Sequence, residues 1–159
     1  MSLDDWILAL HLLSAFALVG AITIFWVVVL AIRSADRPSR VVALSPLFKL
    51  GSVVVVVGSL GVIVFGLWLA ISLRAYHPWD GWVIAAIVLW AVASETGRRS
   101  DPEYRPAFVR AQELVAAGTD EPDAELAALC RPSAGLLLHS AATVATLLIL
   151  LDMIWKPGA

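Results

Sequence analysis

The chain has 159 residues, of which 60% are hydrophobic and 15% charged, with a formal net charge of −2. A soluble domain is nearer half apolar and a quarter charged, so this composition excludes an ordinary water-soluble core and makes lipid the second solvent. The charge balance and the lack of a basic face interleaved with aromatics exclude nucleic-acid binding. The single cysteine, Cys130, excludes an internal disulfide or a cysteine-pair metal site.

A membrane span needs about 20 apolar residues. The first expected span runs from about Trp6 to Ile32. Met1-Ser2-Leu3 is followed by Asp4 and Asp5 rather than by basic residues, and the apolar run is long, so it reads as a retained span and not a cleaved signal. The second runs from about residue 47 to 73, the third from about 79 to 95, and the fourth from about 133 to 155. Inside lipid every backbone group must bond internally, so the run Val53 to Val57, strand-like by propensity, is expected to be helical. The one sizeable polar stretch is the loop of about residues 98–132. There Asp101-Pro102 reads as an N-cap with proline at the first helical position. Tyr104, Ala107, Phe108, Ala111, Leu114 and Val115 recur at helical spacing, and Gly118 ends the run. This predicts an amphipathic helix on the inner membrane surface or packed under the bundle. A short helix from Pro122 to Cys130 follows it.

Charge orients the spans. Arg33, Arg37, Arg40 and Lys49 lie around the first loop, and Arg98, Arg99, Arg105, Arg110 and Arg131 in the third. Only Arg74 and Lys156 fall on the other side. The positive-inside rule then places both longer loops in the cytoplasm and both termini outside. Trp6, Trp79, Trp82 and Trp155 form the expected outer aromatic belt. The predicted fold is an all-α, four-helix transmembrane bundle in a bacterial cytoplasmic membrane, with an amphipathic helix in the cytoplasmic loop.

In the second span Gly51/Ser52, Gly58/Ser59 and Gly66 recur at about two-turn spacing. Such a stripe lets another helix approach closely. That helix belongs either to the same bundle or to a second chain, a membrane-protein partner or another copy.

Ionisable residues inside a span are costly and therefore functional candidates. His11 and Asp152 both sit roughly 11–12 Å outward of their spans' midpoints, and His77 and Asp80 lie in the short outer loop near Asp4 and Asp5. Two imidazoles with carboxylates suit zinc or copper. The structural alternatives are an interfacial pair of Asp152 with Lys156 four residues on, a turn at His77-Pro78, and solvated aspartates. His139 lies toward the inner side, roughly 18 Å below His11 by helical rise. It is expected to hydrogen-bond to a neighbouring helix, to Ser140 of a second chain or to Ser14, while Thr143 and Thr146 back-bond to their own helix. Glu95 with Arg98 and Arg99 reads as an interfacial ion-pair cluster. Neither a phosphate loop nor a catalytic triad order is present, and no enzyme is expected.

His11-Leu12-Leu13-Ser14-Ala15 with Gly20, Gly66-Leu67, Gly81-Trp82 and the terminal Met153-Ile154-Trp155-Lys156-Pro157 together resemble the integral membrane proteins grouped as domain of unknown function 2269. The resemblance covers nearly the whole chain and implies a four-helix bundle. That family is distantly similar to copper-resistance membrane proteins of the D type and to a protoporphyrinogen-oxidase-like four-helix family. Those carry a histidine early in the first helix and are linked to copper or haem. By this resemblance a haem would be held by His11, alone or with His77, because His139 lies too far away to share its iron. Two functions remain open at this point. One is an accessory or structural subunit that buries its Gly/Ser stripe and inner loop against a larger membrane complex. The other is a haem-, copper- or zinc-binding protein using His11, with His77 and Asp152.

Overall fold

The computed structural model describes residues 2–72 and 77–157. Its elements are all helices: α1 (Leu3–Ser34), α2 (Pro38–Ala43), α3 (Ser45–Ser72), α4 (Gly81–Ala116), α5 (Ala124–Leu129) and α6 (Ser133–Trp155). The valine run of the second expected span lies within α3 as a helix. Leu73, the expected end of that span, and Arg74 lie outside the described residues. Three helical stretches, Leu3–Ser34, Pro38–Ser72 and Ala124–Trp155, are long and apolar enough to cross a bilayer. The chain therefore has the makings of a multi-pass membrane protein.

The first turn of α1 explains one acidic residue. Ser2 and Asp5 form a capping box, with Ser2 Oγ accepting from the Asp5 N–H at 3.2 Å and the Asp5 carboxylate accepting from the Ser2 N–H at 2.7 Å. The small helix α2 was not foreseen. It starts on Pro38, a residue suited to a first helical turn, and Asp120 reaches across from the distal loop to hold it. The Ser39 N–H and hydroxyl donate to the two Asp120 carboxylate oxygens at 2.8 and 2.9 Å. Those bonds, the backbone one first, hold the Asp120 carboxyl below the usual carboxylate range.

α4 departs from expectation. A break at Asp101-Pro102 was predicted, but α4 runs unbroken through Pro102 and Pro106 for 36 residues. Asp101 is thus no N-cap; its carboxylate pairs with Arg105 at 2.8 Å. A proline in a helix interior costs about 3 kcal/mol through a lost hydrogen bond and a ring clash. Opposing this, the face of Tyr104, Ala107, Phe108 and Ala111 is buried together with Val28, Val29 and Ile32 of α1, Val41 of α2, and Leu126 and Cys130. Burying each large side chain contributes about 1.5–3 kcal/mol, so the two aromatics alone are of the right size to offset a proline. Packing against α6 also continues through the proline segment. Ser100 Oγ donates to the Gly135 carbonyl at 3.0 Å, and the Tyr104 ring lies so close to Gly135 that an added Cβ would stand 2.9 Å from it. The amphipathic helix is therefore an extension of α4, packed under the bundle.

α1 packs along α3, and α4 along α6. Two indole hydrogen bonds join these pairs. Trp26 Nε1 donates to Thr143 Oγ1 at 3.0 Å, linking α1 to α6. Trp90 Nε1 donates to the Ser59 hydroxyl at 2.9 Å and to its carbonyl at 3.2 Å, linking α4 to α3.

The glycine stripe faces α1 within the same chain. A Cβ on Gly58 would stand 2.8 Å from the Leu18 nitrogen and 3.0 Å from the Ser14 oxygen, and one on Gly51 would meet Ile24 Cγ2 at 3.1 Å. Here the backbones themselves touch. Ser52 back-bonds to the Phe48 carbonyl at 3.0 Å, and Ser59 serves Trp90. Gly58→Ala should therefore destabilise the chain by about 1–3 kcal/mol, the usual cost of overpacking. Gly20→Ala, with nothing within 4 Å of the new Cβ, should not. Midpoints of denaturation in mixed micelles would decide; equal midpoints for the two variants would refute the close α1–α3 seam.

Candidate functional site

His11 is placed by a missing side chain. Its ring lies over Gly66 of α3, where an added Cβ would come within 2.9 Å of Cε1 and 3.2 Å of Nδ1. Nδ1 is buried against Gly66 without a hydrogen-bond partner, and the ring lies near the Val62 backbone. The ring forms part of the wall of a cavity of about 240 Å³ between α1, α3, α4 and α6. The other walls include Ala70 of α3, Trp82, Ala86 and Trp90 of α4, and Met153 of α6, with Lys156 just past the end of α6. Leu8, Leu12, Leu67 and Ile87 line the cavity and are also substantially exposed on the outside of the bundle. The cavity thus reaches the apolar outer surface.

The other expected ligands are elsewhere. His77 is exposed, its ring stacked on Trp79 with centroids 4.9 Å apart and planes 12° apart. Its backbone N–H donates to the Asp80 carboxylate at 2.8 Å, which fits the turn reading. Asp152 is half-buried, has one carboxylate oxygen buried without a hydrogen-bond partner, and does not line the cavity. Among the described residues no three of His, Cys, Asp and Glu are grouped to hold a metal ion. A structural zinc site takes four ligands and a catalytic one three; the cavity supplies one imidazole and, from Met153, a thioether. Copper and zinc therefore do not fit as first drawn. A haem needs an axial donor with room beside it, and the His11 Nδ1 is buried against Gly66 instead.

Lys156 closes α6 in a left-handed conformation (φ 41°), its N–H donating to the Asp152 carbonyl at 2.8 Å. Its ammonium lies 5.5 Å from the centre of the Trp82 ring. Trp82 is only 7% exposed, so it belongs to the cavity and not to the surface belt, whereas Trp6, Trp79 and Trp155 are exposed.

His139 is buried in another setting. Its ring centroid lies 4.7 Å from that of Trp26 and 6.2 Å from that of Phe25, and Nε2 has no hydrogen-bond partner. The expected bonds to serines are not made by Ser14 or Ser140 within the chain, since both donate to carbonyls of their own helices. Thr143 and Thr146 back-bond as anticipated, and Glu95 pairs with Arg98 at 2.9 Å and Arg99 at 2.7 Å. Phe25 lies 14 residues below His11 on α1, roughly 21 Å by helical rise, so the two histidines serve separate places.

Within the chain the glycines of α3 lie against α1, and the apolar face of the second half of α4 lies against α1, α2 and α5. Trp90 and Met153 were missed; as apolar residues within apolar runs they carry no signal to separate a cavity wall from a lipid-facing position. The chain matches no protein-family profile, no curated protein and no solved structure.

The His11–Gly66 contact has a double-mutant signature. Gly66→Ala should cost about 1–3 kcal/mol because the ring must move. In a His11→Ala background the same change should cost little. Additive losses in the denaturation midpoints would show that ring and glycine do not touch.

Proposed function

We propose that this chain is a four-span protein of a bacterial cytoplasmic membrane that receives a small, membrane-dissolved ligand at His11. The observation that carries this reading is the His11 imidazole on the wall of an otherwise mostly apolar cavity that reaches the lipid-facing surface. A polar group left unmatched in an apolar setting costs about 1–3 kcal/mol, and a ligand bearing one hydrogen-bonding group relieves that cost. The resemblance drawn from His11 to Ala15 and the terminal Met153 to Pro157 supports the four-helix count and the bacterial membrane.

In this reading the third span, of about residues 79–95, is completed by the first part of α4 and joins the three stretches already named. Nine basic residues flank the inner loops and two the outer side, so both termini face outward. Labelling of single cysteines in a Cys130→Ser background tests this. A membrane-impermeant maleimide should reach Ser2→Cys in intact cells and Glu121→Cys only after permeabilisation. The reverse pattern would invert the orientation, and labelling of both from outside would end the four-span count.

The ligand reading is tested with two probes that differ by a hydroxyl, 2-naphthol and naphthalene, followed by energy transfer from the cavity tryptophans. A net hydrogen bond contributes about 0.5–1.5 kcal/mol, so 2-naphthol should bind roughly two- to twelve-fold tighter. The preference should vanish in His11→Phe. Equal affinities, or a preference that survives His11→Phe, would count against it. If neither probe binds, the accessory-subunit reading returns. A Soret band or stoichiometric copper or zinc, lost in His11→Ala, would restore the cofactor reading.

A further inference from the structure

We infer that the ligand of the His11 cavity is a prenylated quinone or its quinol, an inference that rests on the ligand reading above. Four observations narrow the class. First, the space is small: about 240 Å³ suits a head group of one or two fused rings. Second, the space is bordered by small side chains, Ala70 on α3 and Ala86 on α4, while the gap at Gly66 is filled by the His11 ring. Side chains no larger than a methyl leave a slot suited to a flat head group. The indole of Trp82 adds an aromatic surface to the same wall.

Third, the hydrogen-bonding group is a neutral-type donor or acceptor in the interior and not a charge. An imidazole nitrogen donates as N–H or accepts through its lone pair according to tautomer. The imidazole that lines the cavity is therefore able to meet either a quinone carbonyl or a quinol hydroxyl. Fourth, the cavity opens past Leu8 and Leu12 on one side and Leu67 and Ile87 on another. These openings give an isoprenoid tail a route into the lipid.

A fatty acid fits less well. Among the described residues the cationic lining residue is Lys156, at the cavity's end beyond α6 and engaged with Trp82. A carboxylate head beside His11 would bury an anion among apolar side chains. A quinone head carries no charge and places its polar atoms beside the imidazole.

The test is a titration of the full chain in nanodiscs with a decyl-substituted benzoquinone, read as quenching of tryptophan fluorescence. The expected result is saturable quenching at one quinone per chain, diminished in Trp90→Phe and Trp82→Phe. Affinity should fall roughly three- to ten-fold in His11→Phe, in keeping with loss of one hydrogen bond, and should largely recover in His11→Gln. Decanoate should not displace the quinone. Displacement by decanoate, or an affinity unchanged in His11→Phe, would overturn the assignment. Quenching that never saturates while 2-naphthol still binds at His11 would sink the quinone class alone. Loss of both would take the ligand reading with it.

Discussion

Helices in lipid gain no hydrophobic force from meeting one another, so they associate only where they fit closely. In this chain that fit is the contact of the glycines of α3 with α1. At Gly58 the two backbones meet with no side chain between them, and at Gly66 the same absence of a side chain admits an imidazole. One stripe thus does two things along one helix. Toward the middle it brings α1 and α3 together; toward the end of α3 it seats His11.

The second helix pair, α4 and α6, is held to the first by different means. Trp26 and Trp90 each place an indole N–H on a hydroxyl of the opposite pair. At one end of the bundle the space between the pairs is filled by rings. Phe25 lies edge-on to Phe48, Phe48 lies 5.1 Å from Phe108, and His139 closes on Trp26. Beyond Trp90 the gap is lined by Ala70 and Ala86 as well as by Trp82, Ile149 and Met153. Rings fill one half of the space between the pairs, and the cavity occupies the other.

Much of the fold was legible because lipid imposes simple rules. The long apolar runs, the glycine spacing and the threonine back-bonds all follow from local pattern. The continuity of α4 was not legible. Asp101-Pro102 carries a strong local start signal, and only tertiary packing of Tyr104 and Phe108 under α1 and α2 overrides it. The candidate site was half legible. His11 and Gly66 each stood out, but as separate features, because their pairing depends on how α1 and α3 are aligned. Asp152 and His77 were drawn toward His11 by depth alone. Depth along a span does not say which way a side chain faces, and neither residue lines the cavity.

His11 and His139 make an internal comparison. Both are intramembrane histidines with a buried nitrogen that lacks a hydrogen-bond partner. His139 is enclosed by Phe25 and Trp26 and is only 7% exposed; ring contacts replace what the hydrogen bond would have supplied, and it does not line the cavity at His11. Its setting is that of a packing residue joining α1 to α6. His11 has a glycine beneath it and an open volume beside it. A residue used only for packing would close that volume, as the phenylalanines do below. That the same residue type is enclosed in one half of the bundle and left facing a space in the other is the strongest argument that His11 is placed for something that enters.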